Sequence, residues 1–325
     1  MKHAGHPSVR RRPVLSFAAR TKKELTLVQE PACCRRAELQ ALVLGSGRIR
    51  EVDRRPVLDV ETENVAIARR IYTLIKDVLD VRPEVLVRRK MRLKKNNVYC
   101  VRVAVQAFGV LGELGLSGRI GEPLRLTGAG AHKPCCKRAF LRGAFLAGGS
   151  VNDPGSNSYH LEMGAQDERT AESLLGLMNG YGLHARLLRR KKGFVLYLKE
   201  GEKIVEFLSI IGAHQALLKF EDVRILKGMR NQVNRLVNCE TANLNKTISA
   251  AVRQLEVIRY IDERVGLSSL PDHLREVAEM RLRHPDVNLQ ELASRMPHKV
   301  TKSGLNHRFR RLEEIAQRLR QEGHP

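Results

Sequence analysis

Three sets of residues in this 325-residue chain have types and spacing that could do chemistry. Two pairs of adjacent cysteines, Cys33–Cys34 and Cys135–Cys136, offer thiols for metal binding or redox reactions. Two runs of Lys and Arg offer cations for phosphate groups. The polar face of a C-terminal segment, Lys302 to Arg311, offers donors that could contact the edges of bases.

The cysteine spacing does not by itself predict a metal site. Zinc sites usually place two to four residues between neighbouring ligands, and the chain has no Cys-x-x-Cys. Neighbouring residues on a helix point in different directions, so we expect small buried thiols, with a vicinal disulfide or a redox sensor as the alternative. We predict no metal and no cofactor. The cysteines are Cys33, Cys34, Cys100, Cys135, Cys136 and Cys239.

The charge balance indicates a polyanionic partner. Fifty-eight Lys and Arg residues against 35 Asp and Glu give a formal net charge of +23, which attracts nucleic acid or anionic membrane surfaces. The longest apolar stretch, Val103 to Leu116, contains Gln106 and Glu113 and cannot span a bilayer. No secretory signal opens the chain. We expect a cytoplasmic, nucleoid-associated protein with a disordered basic tail over residues 1–13.

An internal repeat organises the first two thirds of the chain. Residues 33–49 and 135–151 start at the two cysteine pairs, 102 residues apart, and agree at seven of 17 positions. Each segment reads as a mostly buried helix that ends at glycine. A period this long is typical of two similar half-domains packed about a pseudo-two-fold axis, with these helices in close contact.

The elements after each Gly-ended helix also repeat. Strands, a helix and further strands follow in both copies, which predicts an α+β fold built from two αββαββ units. The second helices are expected at Val65 to Leu79 and at Thr170 to Tyr181. A basic run precedes the last strand of each copy. The runs contain Arg88, Arg89, Lys90, Arg92, Lys94 and Lys95 in the first copy and Arg186, Arg189, Arg190, Lys191 and Lys192 in the second.

The basic runs have two interpretations. Strand alternation would put alternate members on one sheet face, and the pseudo-two-fold would place the two faces side by side as a groove for phosphates. Alternatively, the runs are solvated basic hairpins. The symmetric repetition favours the groove.

The last 55 residues predict a helix-turn-helix. A helix from Leu270 to about Arg283, capped by Ser269, precedes a short helix that starts at Asn288 and a longer one that starts after Thr301. On the last helix, one polar face is expected to contact bases and its neighbours to contact phosphates. A solvated charged helix is the alternative. The predicted DNA-binding residues are Lys302, Ser303, Asn306, His307, Arg308, Arg310 and Arg311.

The repeated helices resemble a nuclease motif. Leu39-Gln-Ala-Leu-Val-Leu-Gly-Ser-Gly47 and Leu141-Arg-Gly-Ala-Phe-Leu-Ala-Gly-Gly149 are similar to the paired helices of LAGLIDADG homing endonucleases. In that family an Asp at the penultimate position of each motif holds divalent metal for phosphodiester cleavage. Here those positions are Ser46 and Gly148, which cannot act as anionic ligands. The resemblance implies a scaffold that binds DNA without catalysis.

Longer segments resemble one family of bacterial transcription regulators. Residues 135–154, Asn231-Gln-Val-Asn-Arg-Leu-Val-Asn-Cys-Glu-Thr-Ala-Asn-Leu-Asn-Lys246 and Lys302-Ser-Gly-Leu-Asn-His-Arg308 are similar to the WhiA family. The resemblance implies a degenerate LAGLIDADG domain joined to a helix-turn-helix, control of cell-division and sporulation genes, and promoter DNA as the partner. It also implies a WhiB-type iron-sulfur co-regulator as a further partner.

The resemblance and the repeat together predict the domain organisation. We expect a tail at 1–13, repeats at 14–132 and 133–222, a helical linker at 223–266 and the helix-turn-helix at 267–325. Two other functions stay open at this point. A metal-dependent nuclease or intron maturase would need carboxylates at positions 46 and 148, and an interaction protein would bind RNA or ribosomes through its charge.

Overall fold

The computed structural model describes residues 15–89, 97–104, 106–127, 132–191 and 193–322. The chain divides after Lys227 into two compact units. The helices of the first unit are α1 Phe17–Leu25, α2 Ala32–Ser46, α3 Val65–Leu79, α4 Ala107–Glu113, α5 Pro134–Gly148, α6 Glu168–Asn179 and α7 Gly201–Ile211. Its strands are β1 Gly47–Val52, β2 Arg55–Thr62, β3 Glu84–Arg89, β4 Asn97–Val103, β5 Leu116–Ser117, β6 Arg125–Leu126, β7 Gly149–Val151, β8 Leu161–Ala165, β9 Arg186–Arg190 and β10 Gly193–Leu198.

Helix α8, His214–Val265, includes residues of both units. The second unit continues with a 3-10 turn at Leu267–Ser269 and with α9 Asp272–Arg283, α10 Leu289–Ser294 and α11 Lys302–Glu322. The predicted tail at 1–13 lies outside the described residues, and the predicted domain boundaries stay predictions. No helix in the described part of the chain is both long and apolar enough to cross a membrane.

The first unit is a duplication, as the repeated sequence predicts. The segment from α2 to β4 and the segment from α5 to β10 each run helix, two strands, helix, two strands. In each copy the four strands form one antiparallel sheet, with the order β1-β2-β4-β3 in the first and β7-β8-β10-β9 in the second. The predicted α+β fold with two αββαββ repeats is confirmed.

Local signals in the sequence fix where these elements start. Asn64 caps α3 by accepting a hydrogen bond from the Ala66 backbone N–H at 2.9 Å, and the predicted bounds of this helix are confirmed. In the second copy the sequence predicts a helix from Thr170 to Tyr181, but α6 ends at Asn179. It starts at Glu168 because Asp167 caps it, accepting a hydrogen bond from the Thr170 N–H at 3.0 Å.

One face of each sheet packs on the core. Leu58 and Val60 of β2 and Val101 of β4 are fully buried with residues of α2 and α3. Because successive strand residues point to opposite faces, Asp59 and Arg102 lie on the other face of the same sheet. Each repeat therefore presents one helix-covered face and one open polar face.

Helices α2 and α5 make the closest contact between the two repeats. A methyl group added at Gly143 of α5 would lie 2.4 Å from the Glu38 carbonyl oxygen of α2 and 2.9 Å from the Ala41 Cβ. One added at Gly45 of α2 would lie 2.8 Å from the Ala147 Cβ of α5. The predicted close packing of the Gly-ended helices is confirmed, and only glycine fits at position 143.

Buried ion pairs hold α2 and α5 in one position relative to each other. Glu38 of α2 is fully buried and accepts two hydrogen bonds from the guanidinium of Arg70, at 2.8 and 2.9 Å. Arg142 of α5 is 4% exposed, lies 3.4 Å from the Glu38 carboxylate and contacts the Glu30 carboxylate. If one helix slid along the other, these partners would separate and leave a buried charge without compensation. The ion pairs therefore disfavour other registers of the two helices.

The second unit has its own core. Leu274 and Val277 of α9, Leu292 of α10 and Leu305 and Leu312 of α11 are buried together. Within this unit the last turns of α8 pack on the same core through Val257, Ile258 and Ile261. The expected Ser269 cap is wrong, since α9 starts at Asp272 with Pro271 at its N-cap. Asn288 caps α10 as expected, accepting hydrogen bonds from the N–H groups of Gln290 and Glu291.

Candidate nucleic-acid interface

The polar face of α11 is open to solvent along its N-terminal half. Ser303, Asn306, His307 and Arg310 are exposed, whereas Leu305 and Phe309 between them are buried. Within the described part of the chain, none of these four polar side chains forms a hydrogen bond or an ion pair. Their donors and acceptors are therefore available to an external ligand.

The flanking cations of α11 differ among themselves. Lys302 is exposed, and Arg311 is exposed but donates a hydrogen bond to Glu314 at 2.6 Å. Arg308 is half-buried, and its guanidinium donates to the backbone carbonyl of His273 on α9 at 3.4 Å. Arg308 therefore links α9 to α11 within the unit. A phosphate-contacting side chain is expected to be exposed, whereas that of Arg308 is half-buried.

Arg281 is a buried cation that supports α11. Its side chain is 1% exposed, donates hydrogen bonds to the carbonyls of His284 and Val287 at 3.3 and 2.7 Å, and lies over the Phe309 ring at 5.6 Å. Burial lowers the pKa of this guanidinium. Arg281 thus ties the end of α9 to the turn before α10 and to α11. The sequence alone does not single out Arg281, because a basic residue in the last turn of a helix is commonly exposed to solvent.

The open face of the first sheet carries arginines that already have counter-ions. Arg102 binds the fully buried Asp59 through two hydrogen bonds, at 2.7 and 2.8 Å. Arg50 and Arg88 each lie within 3.6 Å of Asp59 and contact Glu61 as well. Burial alone would raise the pKa of Asp59, but Arg102 holds it below its ordinary value. Three arginines therefore share two carboxylates on this face.

The second sheet repeats this arrangement in a weaker form. Arg190 lies 3.6 Å from the Glu162 carboxylate, which also contacts His160 at 3.4 Å. Strand alternation puts Arg189 on the opposite face, where its guanidinium lies over the Phe194 ring at 6.0 Å. Arg186 and Arg190 are thus the members of this run on β9 that share their sheet face with Glu162.

The remaining residues of the predicted basic runs fall into two groups. Arg89, at the end of β3, and Lys191, in the turn after β9, are exposed. Lys90, Arg92, Lys94, Lys95 and Lys192 lie outside the described residues. The sequence analysis omitted Arg50 and Arg102, because each is a single cation in a strand. Only the register of the paired strands shows that Arg50 and Arg102 share a sheet face with Arg88.

The C-terminal ends of α2 and α5 lack the ligands of a nuclease. Ser46 is half-buried and Gly148 is exposed. Because neither residue type carries a carboxylate, neither motif offers one to a metal ion. Lys22 lies at this end and lines a cavity of about 460 Å³ together with Leu146 and Ala147. Burial lowers the pKa of Lys22 to about 8, so the amine is still mainly cationic at pH 7. Glu61 and Glu63 line the same cavity, so it holds charges of both signs.

Two further carboxylates lie near the motifs in the sequence, and neither belongs to a cluster of closely spaced metal ligands among the described residues. Asp153 accepts a hydrogen bond from the Gly155 N–H at 2.9 Å and lies 4.0 Å from Arg20. Asp53 occupies the turn between β1 and β2 with φ of 49°. Among the described residues, no group of three potential ligands with closely spaced ligand atoms includes Ser46, Asp53, Gly148 or Asp153.

The cysteines depart from the sequence-based expectation. The Sγ atoms of Cys33 and Cys34 are 3.9 Å apart, as are those of Cys135 and Cys136, and all four lie within 4.8 Å of one another. The expectation that neighbouring thiols point apart is therefore wrong. Cys33 and Cys239 are also exposed rather than buried. Spacing within one helix does not predict the cluster, because the cluster forms between two helices.

Fold and site together define a class of protein: a duplicated LAGLIDADG-like domain without its acidic ligands, joined to a helix-turn-helix. Comparison with known families agrees with this class. Residues 32–117 match the WhiA N-terminal LAGLIDADG-like domain, 137–230 the WhiA LAGLIDADG-like domain, and 233–316 the WhiA C-terminal HTH domain.

Whole-chain relatives extend these matches. The chain is 58% identical to a probable cell division protein WhiA of Anoxybacillus flavithermus, across 94% of this chain and 96% of the relative. It is 55% identical to one of Brevibacillus brevis, across 94% and 98%. The crystal structure of full-length WhiA from Thermotoga maritima matches 94% of this chain and 99% of its own, with 28% identity and a TM-score of 0.58. The chain belongs to the WhiA family.

Proposed function

We propose that this protein is a sequence-specific DNA-binding regulator of transcription that acts in the nucleoid on genes of cell division and, where they exist, sporulation. The relatives' description as probable cell division proteins supports the process. The helix-turn-helix family match supports the DNA ligand. A WhiB-type iron-sulfur partner stays a prediction of the family resemblance alone.

The open polar face of α11 is the observation that carries the proposal. A recognition helix must present side chains that are free to exchange water for base edges, on a helix that the core holds rigidly. Ser303, Asn306, His307 and Arg310 meet the first condition. Arg281 and the buried Phe309 meet the second. In this proposal Arg310 donates to guanine and Asn306 contacts adenine.

The repeat domain adds affinity that does not depend on sequence. Its open sheet faces carry arginines next to carboxylates, so each cation is partly neutralised before DNA arrives. Such groups contact phosphates and contribute a salt-dependent attraction, with few free donors for base edges. Lys191, which is exposed in the turn after β9, belongs to the same phosphate-contacting set, whereas strand alternation puts Arg89 on the opposite face from Arg88.

We further propose that the protein does not cleave DNA. Cleavage in the related fold needs a carboxylate on each motif helix, and Ser46 and Gly148 stand there. Incubation of the full chain with supercoiled plasmid and Mg²⁺ or Mn²⁺ tests this. We expect plasmid to stay supercoiled, and cleavage that Ser46→Ala leaves unchanged would point to another catalytic site.

Base reading by α11 is tested by comparing two arginines on the same helix. DNA selected by the full chain from a random-sequence pool serves as specific DNA, and a shuffled version serves as non-specific DNA. We expect Arg310→Ala to weaken specific binding by about 1 to 3 kcal/mol and to leave shuffled DNA nearly unaffected. Arg318→Ala, an exposed residue two turns further along, removes the same charge and is the matched control. Equal losses on both DNAs would reject base reading by Arg310.

A further inference from the structure

The four clustered cysteines occupy equivalent places in the two repeats. In α2 the pair follows the N-cap Pro31 by two and three residues, and in α5 it follows the N-cap Lys133 by the same number. The thiol of Cys34 contacts that of Cys135, and Cys136 contacts Cys33, so each contact joins one repeat to the other. The pseudo-two-fold relation of the repeats therefore builds the cluster from both copies.

The spacing of the sulfur atoms fits a tetrahedral thiolate site. A Zn–S bond of about 2.3 Å places the sulfurs of a regular tetrahedron about 3.8 Å apart. The two sulfurs within each pair are 3.9 Å apart, and no two of the four are more than 4.8 Å apart. A disulfide would instead need one sulfur pair at about 2.05 Å.

The helix ends supply the electrostatic environment that thiolates need. Neither α2 nor α5 has a side-chain cap or an acidic residue in its first turn, and the Glu30 carboxylate just before α2 is paired with Arg142. The positive end of a helix dipole stabilises thiolates and lowers the cost of grouping four of them. Cys33 is exposed and Cys34 and Cys136 are buried, so a metal ion can enter from solvent and be held against the core.

We propose that Cys33, Cys34, Cys135 and Cys136 bind one thiophilic metal ion, Zn²⁺, which joins the N-terminal ends of α2 and α5. Binding releases the thiol protons to solvent and changes no oxidation state. Four sulfur ligands select zinc over the hard cations Mg²⁺ and Ca²⁺, which prefer oxygen. The metal is structural, because all four positions of the tetrahedron are filled by protein.

The site lies at the opposite end of the helix pair from Ser46 and Gly148. It is thus independent of the positions that hold metal in the nucleases and independent of the proposed DNA contacts. A second group of potential ligands, Asp59, Glu61 and Cys100, carries no such proposal. Arg102, Arg50 and Arg88 already compensate its carboxylates.

The proposal is tested by metal analysis of the untagged full chain. The protein is expressed in zinc-supplemented medium and purified in reductant without chelator, and its zinc is measured by mass spectrometry. We expect one zinc ion per chain in the wild type and in Cys239→Ser, whose cysteine is exposed in the other unit. Cys33→Ser combined with Cys135→Ser changes the two less buried ligands and should weaken zinc binding at least about 100-fold in competition with a chromophoric chelator.

Cobalt substitution gives a readout that does not depend on zinc stoichiometry. Co²⁺ added to the metal-free wild type should produce the absorption bands of tetrahedral cobalt thiolate, and the double variant should lack them. Circular dichroism checks that the variant is folded, and the Cys34→Ser variant provides a second test if it is not. Folded, reduced wild type that binds neither Zn²⁺ nor Co²⁺ would overturn the proposal. So would zinc retained by the folded variants, or a disulfide within the cluster that persists in wild type purified in reductant.

Discussion

The polar face of α11 and the open faces of the two sheets both present cations, but their cations are in different electrostatic states. On the first sheet Arg50, Arg88 and Arg102 share the carboxylates of Asp59 and Glu61. On α11, Asn306 and Arg310 have no partner among the described residues. A partnered arginine keeps its position and its attraction for phosphate, but its donors are partly used. A free one can commit its donors to a base.

The difference indicates how one chain could combine two kinds of binding. Preformed ion pairs hold the sheet arginines in place, which favours contact with a backbone of regular geometry. The free side chains of α11 depend instead on a rigid support, which the core of the second unit provides. Sequence specificity is therefore expected to depend on the support of α11, and overall affinity on the sheets.

Removing the support of α11 should have the largest effect. Arg281→Ala deletes a buried guanidinium with two carbonyl partners and its contact with Phe309, and should lower the free energy of unfolding of the second unit by about 3 kcal/mol. Denaturant titration measures this loss. Arg283→Ala, an exposed arginine of the same helix, should change stability by less than about 0.5 kcal/mol. If both variants changed the free energy of unfolding by a similarly small amount, Arg281 would not be the support of α11.

Disturbing the contact between the repeats comes next. Gly143→Ala forces a methyl group against the Glu38 carbonyl and should destabilise the first unit by about 2 kcal/mol. Gly176→Ala on α6 is the control, since nothing lies within 4 Å of the added methyl group and it should stabilise the helix by up to about 1 kcal/mol. Thermal unfolding distinguishes the two. Stabilisation by both substitutions would contradict the close helix contact.

Phosphate contact by the sheets predicts a smaller, sequence-independent effect. Arg88→Ala with Arg190→Ala, which removes one arginine from the open face of each sheet, should weaken binding to specific and shuffled DNA alike, by about tenfold at moderate salt, and flatten the salt dependence by about one to two units. Lys76→Ala with Arg169→Ala removes the same charge from the helix-covered side and is the control. Binding isotherms at several salt concentrations provide the measurement. If the control variant flattened the salt dependence of binding equally, the effect would come from net charge and not from contacts of the sheet faces.

The smallest expected effect concerns the half-buried Lys22 near Ala147. Its pKa of about 8 lies below the ordinary 10.5, so the charged amine destabilises the folded state below pH 8. Stability should rise by about 1 kcal/mol between pH 8 and 10.5, as the folded state loses this proton first. Lys22→Met should abolish the rise, and Lys23→Met, at an exposed position, should preserve it. Denaturant titrations across this range would show no difference between the two if Lys22 were solvated.

Much of the architecture was accessible from the sequence because it depends on local and repeated patterns. The duplication follows from residues 33–49 and 135–151, and the bounds of α3 follow from its apolar period and the Asn64 cap. The outward face of α11 follows from helical geometry, with Leu305 and Phe309 buried opposite Asn306 and Arg310.

The features that the sequence analysis missed depend on contacts between distant segments. Asp59 meets Arg102 across a strand pair and 43 residues of chain, so neither residue alone predicts the pair. The four cysteines meet because two helices pack side by side, which spacing within each helix cannot show. Arg281 resembles any basic residue in the last turn of a helix until the fold places Phe309 beneath it.

The central claim is that α11 supplies sequence specificity in the cell. Chromatin immunoprecipitation with sequencing, on the intact protein and on a variant with Asn306→Ala and Arg310→Ala, tests it most directly. Substitution is preferable to truncation after Gly266, because Val257, Ile258 and Ile261 of α8 belong to the same core. We predict discrete promoter peaks for the intact protein and for Arg318→Ala, and their loss in the double variant. Peaks that survive unchanged in the double variant would contradict the account and assign sequence reading to the repeat domain.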